Sequence, residues 1–285
     1  MRLVLTRDAH EFAARTQRLL AARLECNVLA TVLMSVIDGA HREPPPMFVY
    51  GQRDEAGGDA VFAAMRTPPF PLLTSPLEAA TADQLMDLWL PADGELSSVS
   101  GVPDTARAIA AAWAERTGGT TRCTMTEATH VLEEVRDPPR PAPGALRPPR
   151  SDERGLLVAW MEAFVGEAGL IGAAQAGPMV DARLRRDGLM VWDDEQPVCM
   201  IGVAPAVAGV VRIGPVYTPP PQRRRGYAGS AVAAASRRAL GSGAARCMLF
   251  TDLANPTSNK IYAEVGYRRI GDWEEIALER PGREA

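Results

Sequence analysis

At 285 residues, 46% of them apolar and 23% charged, the chain has the make-up of a globular protein with room for one large domain or two ordinary ones. Its formal net charge is −4, with 13 arginines against 19 acids up to residue 140 and 18 cations against 16 acids beyond it, which excludes the strongly basic face of a nucleic-acid binder. No apolar run reaches the roughly 18 residues of a spanning helix, and the start, Met1 to Asp8, has no secretory core, so we expect a cytoplasmic protein without membrane contact.

Helical spacing predicts a helix over Ala9 to Leu24, short strands near Phe48 and over Val61 to Met65, and a helix over Ala82 to Leu90. A strand over Glu95 to Val99 follows, then a helix over Pro103 to Arg116, with Pro103 and Asp104 suited to its first turn. Thr120 to Met125 reads as a strand. The stretch from Asp137 to Arg150 holds six prolines, and such a segment sustains neither a helix nor a central strand. It divides the chain into a first domain over residues 1–136, a linker and lead-in over 137–150, and a second domain over 151–285.

In the second domain Ser151 is placed to cap a helix carrying Leu156, Leu157, Trp160, Met161, Phe164 and Val165 at helical spacing. Gly166 and Gly169 weaken its end, and Met179 to Leu184 reads as the end of another helix or a turn. Leu189 to Trp192 and Pro197 to Val203 form a hairpin around the acidic turn Asp193-Asp194-Glu195, whose tip we expect to be solvated. Val210 to Thr218 continues the meander. A helix from Gly226 to Gly241, a buried strand over Cys247 to Thr251, a short helix from Ser258 as cap to Val265, and a last strand over Arg268 to Leu278 complete the order. The first half repeats part of it, with Ser100 to Ala106 at the junction that carries the arginine–glycine turn in the second half. Asp104 there would repel a phosphate.

That turn is the most informative segment. The strand ends at Val216-Tyr-Thr218, three prolines follow, and Arg223-Arg-Arg-Gly-Tyr-Ala-Gly229 opens an alanine-rich helix. A helix N-terminus leaves backbone N–H groups unpaired and carries partial positive charge, and it binds phosphate where small residues let the ligand close to the backbone. The turn therefore reads as an anion site for a pyrophosphate. It has neither the G-x4-G-K-[S/T] of a phosphate loop nor the G-x-G start of a dinucleotide fingerprint. Cys26, Cys123, Cys199 and Cys247 stand singly in apolar segments and read as buried free thiols, with no metal site. His10, His41 and His130 all lie in the first half, which disfavours a histidine-activated nucleophile or a zinc centre beside the turn.

Over about residues 141–280 the chain resembles the GNAT superfamily of acetyl-CoA-dependent N-acyltransferases. The likeness rests on Arg223-x-x-Gly226-x-Ala228, which follows the family's [Q/R]-x-x-G-x-[G/A] pattern, on the strand before it, and on the run from Thr251 through Asn255, Asn259 and Tyr262 to Gly266-Tyr267. The resemblance implies a GNAT-like α/β (α+β) fold, a mixed and mostly antiparallel sheet flanked by helices, in two related tandem domains of which the first has lost the motif. It implies acetyl-CoA as co-substrate and no metal. Amides from Arg224 through Gly229, including those of Arg225, Gly226, Tyr227 and Ala228, would cradle the pyrophosphate, with charge added by Arg223, Arg224 and Arg225. Val216, Tyr217 and Thr218 would line the pantetheine arm like an added strand, and Asn255 and Asn259 would bond it. Tyr262 would protonate the departing thiolate, with Asp252, Glu162 and Glu167 as candidate bases. The acceptor implied is a primary amine of a small molecule or peptide, acted on by a protein that can form a homodimer. The alternative is a non-catalytic sensor or scaffold that binds acyl-CoA.

Overall fold

The computed structural model describes residues 1–39, 43–53, 58–169 and 175–282. Its backbone contacts divide the chain into Met1–Glu127 with Gly271–Ala285, and Ala128–Ile270.

The first unit runs β1 (Arg2–Thr6), α1 (Ala9–Ala22), α2 (Asn27–Ile37), β2 (Met47–Gln52), β3 (Ala60–Arg66), β4 (Leu72–Thr74), α3 (Ala79–Trp89), β5 (Ser98–Gly101), α4 (Pro103–Thr117) and the start of β6 (Thr120–Leu132). Strands β1 to β4 pair antiparallel in sequence order, and β4 lies parallel to β5. The chain's last strand, β12 (Arg268–Glu279), enters this unit at Gly271 and pairs antiparallel with β5, Glu274 opposite Gly101 and Ala277 opposite Ser98. Alternate residues Met47 and Val49, and Ile276 and Leu278, point to one face and bury against Leu85, Trp89, Ile109 and Trp113 of the helices.

The second unit takes the end of β6 and continues through β7 (Ala145–Arg147), α5 (Arg154–Glu167), α6 (Ala176–Leu184), β8 (Leu189–Asp194), β9 (Gln196–Val203), β10 (Val210–Tyr217), α7 (Tyr227–Gly241), β11 (Arg246–Asp252) and α8 (Pro256–Val265). Its strand order is β6-β11-β10-β9-β8-β7. Both faces are covered, so its strands read as near-continuous apolar runs. Met190, Trp192, Cys199, Ile201, Val211 and Leu249 pack against α7 and α8, while Leu189, Val191 and Met200 pack against Trp160, Met161 and Val180 of α5 and α6.

The proline-rich stretch lies inside this second unit and runs along α7. Asp137 accepts from Arg237 at 2.6 Å, the Ala142 amide donates to Ser230 at 2.8 Å, and the Pro143 carbonyl accepts from the Trp192 indole at 2.7 Å. Covered by the sheet and by this strap, α7 buries five consecutive residues, Gly229 to Ala233. Larger side chains would not fit there, which accounts for its alanines.

Several elements differ from the sequence expectations. Strands β1, β4 and β7 and helix α2 were not foreseen. Ser151 opens a 3₁₀ turn rather than capping α5, and the Glu153 carboxylate accepts from the Arg150 amide at 2.7 Å. Asn255, not Ser258, caps α8, its side chain accepting from the Ser258 amide at 3.0 Å. Cys123 is exposed rather than buried.

Candidate active site

The site is organised by β10. This strand pairs in parallel with β11 only from Val210↔Arg246 to Arg212↔Met248, although the two run on to Tyr217 and Asp252. Toward β9 it carries one extra residue between the pairs Ile213↔Val203 and Val216↔Ile201. Such a bulge turns the side chains after it to the opposite face. Ile213 accordingly packs with α7 and α8, whereas Tyr217 packs with Trp160 and Met161 of α5. Among the described residues, the edge of β10 facing β11 has no strand partner past Arg212. Just beyond, Thr218 Oγ1 is buried with no hydrogen-bond partner among the described residues.

A 3₁₀ turn over Pro220–Gln222 leads to Gly226, which caps α7 at φ +85°. A side chain there would place its Cβ 2.8 Å from the Arg140 carbonyl of the strap, so both conformation and space require glycine. No side chain caps α7, and the amides of its first turn, Tyr227, Ala228 and Gly229, carry the positive end of the helix. Arg224 precedes them at φ +62°, a conformation that costs a non-glycine residue about 1–3 kcal/mol. Such outliers cluster where a backbone is shaped for a ligand.

The three arginines are engaged differently. Arg223 donates from Nη2 to both carboxylate oxygens of Glu167 at 2.7 and 2.6 Å and from Nε to the Thr218 carbonyl at 2.9 Å. Arg225 donates to Gln222 at 2.6 Å and lies over the Tyr227 ring, 5.0 Å from its centroid. Arg224 is exposed. The Tyr227 hydroxyl donates to Asp194 at 2.5 Å, and Arg147 bonds Asp193, so the acidic hairpin turn is not simply a solvated tip.

At the end of β11 the loop is closed by amides. Asn259 Nδ2 donates to the carbonyls of Asp252 and Asn255 at 2.9 and 2.8 Å, while Asn255 Oδ1 serves the α8 cap. One turn later Tyr262 is buried edge-on to Tyr267, with ring centroids 6.1 Å apart. Burial, assisted by the nearby Cys199 thiol, pushes its hydroxyl up to about 12. It keeps its proton at neutral pH, so it is equipped to donate one and not to accept one.

Because β10 and β11 are parallel, the segments after them, 218–229 and 253–262, leave from the same end of the sheet, where ligands of open α/β sheets bind. The structure thus brings every sequence-predicted site residue to one end of one unit. Of the candidate bases, Glu167 is bound by Arg223, Asp252 accepts from the Ala254 amide at 2.8 Å, and Glu162 is exposed on α5. His130 belongs to this unit as well, buried on β6, where burial lowers its pKa.

The first unit closes the corresponding place. Its strand–helix–parallel strand is β4–α3–β5, so the counterpart of the arginine turn is Thr74 to Glu78, not Ser100 to Ala106. There β4 and β5 stay paired to Leu73↔Ser100, and Gly101 is pressed so closely on Thr74 that a Cβ would lie 2.5 Å from Oγ1. The Ser75 and Leu77 amides are taken by the Ala63 carbonyl at 2.8 Å and the Thr105 hydroxyl at 3.1 Å.

The sequence profile of the Acetyltransferase (GNAT) family matches residues 147–267, less than half of the chain and all within the second unit, and it supports acyl transfer by that unit. Solved structures share its fold. A GNAT-family acetyltransferase from Colwellia psychrerythraea is 10% identical over 98% of this chain and 100% of its own, with a TM-score of 0.59. A GCN5-related N-acetyltransferase from Sphaerobacter thermophilus is 16% identical over 99% and 98%, with a TM-score of 0.57. A tandem GNAT protein of the clavulanic acid biosynthesis pathway is 12% identical over the full length of both chains, with a TM-score of 0.56. No curated protein matches the sequence. Among the described residues no helix is long and apolar enough to cross a membrane, and no acid, histidine and cysteine cluster could hold a metal.

Proposed function

We propose that the second unit transfers an acetyl group from acetyl-CoA to a primary amine of a small molecule or peptide by direct attack. One observation carries this reading: the uncapped first turn of α7 stands at the exit of a strand whose edge toward β11 is unpaired. A pyrophosphate fits the amides from Gly226 to Gly229, with Arg224 and Arg225 at its rim. The amides of a pantetheine arm fit the open edge at Val216, Tyr217 and Thr218, where the orphaned Thr218 hydroxyl offers a further bond. Asn255 and Asn259 border the arm from the end of β11.

In the reaction the amine nitrogen attacks the thioester carbon, the C–S bond breaks, and the sulfur takes the proton of Tyr262. The proton lost by the amine leaves to solvent, and solvent returns one to the Tyr262 phenolate. An amide of the β10 bulge directed at the thioester oxygen would lower the barrier by about 3 kcal/mol. The first unit, where β4 stays paired with β5 and the Ser75 and Leu77 amides are bonded within the protein, is on this reading a degenerate relative that lacks the motif.

The test is calorimetric titration of the whole chain with acetyl-CoA, expected to give one site per chain. Thiol release is then followed with alkylamines, diamines and tripeptides bearing a free amino terminus. Tyr262→Phe should lower turnover about 100-fold while leaving acetyl-CoA affinity within about twofold. Absence of acetyl-CoA binding sinks the reading. Binding without turnover on any amine, in the wild type and the Phe variant alike, identifies a sensor instead.

A further inference from the structure

The first arginine of the turn is spoken for. Its Nη2 donates to both oxygens of the Glu167 carboxylate, at 2.7 and 2.6 Å, and its Nε donates to the Thr218 carbonyl at 2.9 Å. Its guanidinium also lies over the Tyr217 ring, 5.7 Å from the centroid, and the Tyr217 hydroxyl donates to the same Glu167 at 3.4 Å. Glu167 is the last residue of α5, and Thr218 follows the last residue of β10. A guanidinium turning to face an anion at α7 would surrender all these contacts, and the Glu167 carboxylate beside it would repel that anion.

We infer that Arg223 is a positioning residue that fastens the last turn of α5 to the exit of β10, and not a ligand of the coenzyme's phosphates. The inference rests on the acetyl-CoA reading, whose phosphates it leaves to the α7 amides, Arg224 and Arg225. An exposed ion pair alone holds little. Here the planar fork is fixed by a carboxylate, a carbonyl and a ring at once, which a lysine cannot reproduce. Since Trp160 of α5 also packs near Tyr217, with rings 6.4 Å apart, the pair sets α5 against the strand along which the pantetheine arm would lie.

The test is a double-mutant cycle in the full chain: Arg223→Gln, Glu167→Gln, the double variant, and Arg223→Lys. Amide hydrogen exchange over residues 164–169 and acetyl-CoA affinity by calorimetry are the two readouts. Either single Gln substitution should speed exchange of that turn about fivefold, with the double variant no faster than the faster single, and the Lys variant should behave like Arg223→Gln. Acetyl-CoA affinity should fall by less than about threefold in all four. A loss of about tenfold or more in Arg223→Gln with Glu167→Gln unchanged would make Arg223 a phosphate ligand and overturn the inference. So would unaltered exchange in Glu167→Gln, or full rescue by lysine. Failure of the wild type to bind acetyl-CoA would remove the proposed function, while the exchange cycle would still decide whether the latch exists.

Discussion

Four thiols in this chain meet two different environments. Cys26, Cys199 and Cys247 are buried, and burial pushes them up to about 12, 12 and 11, whereas Cys123 is exposed. Thiolate, not thiol, is the nucleophile, so the buried three are inert at neutral pH. A chromogenic disulfide reagent at pH 8 should therefore titrate one thiol of the native protein quickly and all four after denaturation, and Cys123→Ser should abolish the fast phase. Two fast thiols in the native protein would contradict this assignment. From the sequence all four were read as buried, because each lies among apolar residues. The difference at Cys123 comes from β6, whose residues from Thr120 to Thr124 are all exposed while the end of the same strand is buried. Burial that changes along a strand leaves no period for a local window to find. The same limit explains Arg223: its motif position was legible, but its partner Glu167 is 56 residues away.

At the scale of elements, the strand–turn–helix around Gly226 was legible because it is punctuated strongly. Three prolines end the strand, a glycine marks the turn, and alanines fill the helix. Strand β4 was not legible: its three residues, flanked by prolines at 71 and 76, are too few to show alternation, and without it the counterpart turn of the first half was placed one element too late. For α7 the geometry makes a paired prediction. Gly226→Ala forces an alanine to φ +85° with its Cβ 2.8 Å from the Arg140 carbonyl, and should cost about 1–3 kcal/mol and lower acetyl-CoA affinity. Gly229→Ala, whose nearest neighbours stand at 3.7 Å in regular helix, should leave stability unchanged or raise it by up to about 1 kcal/mol. Thermal unfolding of the two variants separates them. Equal effects would show that the strap does not press on the turn.

At the scale of the whole chain, the order of elements from α5 to β12 was readable from periodicity, whereas the owner of the last strand was not. The spacing of Ile276 and Leu278 at every second position announces a strand without saying which sheet it completes, because that depends on pairing with β5, about 170 residues earlier. The Trp273 indole donates to Ser100 at 2.6 Å, Glu274 holds Arg107 through two bonds, and Ile276 and Leu278 sit in the core with Trp89 and Trp113. Burying each such apolar side chain is worth about 1.5–3 kcal/mol, so losing the three together removes about 5 kcal/mol or more. That is comparable with the total stability of about 5–15 kcal/mol of an ordinary domain. A chain stopped after Ile270 should accordingly lose amide protection across β2, β3, β5 and α4 and become prone to association through the bared edge of β5. Protection across β8 to β11 and α7 should persist, since every strand of that sheet remains. Hydrogen exchange on the truncated and full-length chains reads both regions in one experiment. Loss confined to the second unit, or no loss at all, would mean that the carboxy-terminal strand does not complete the first.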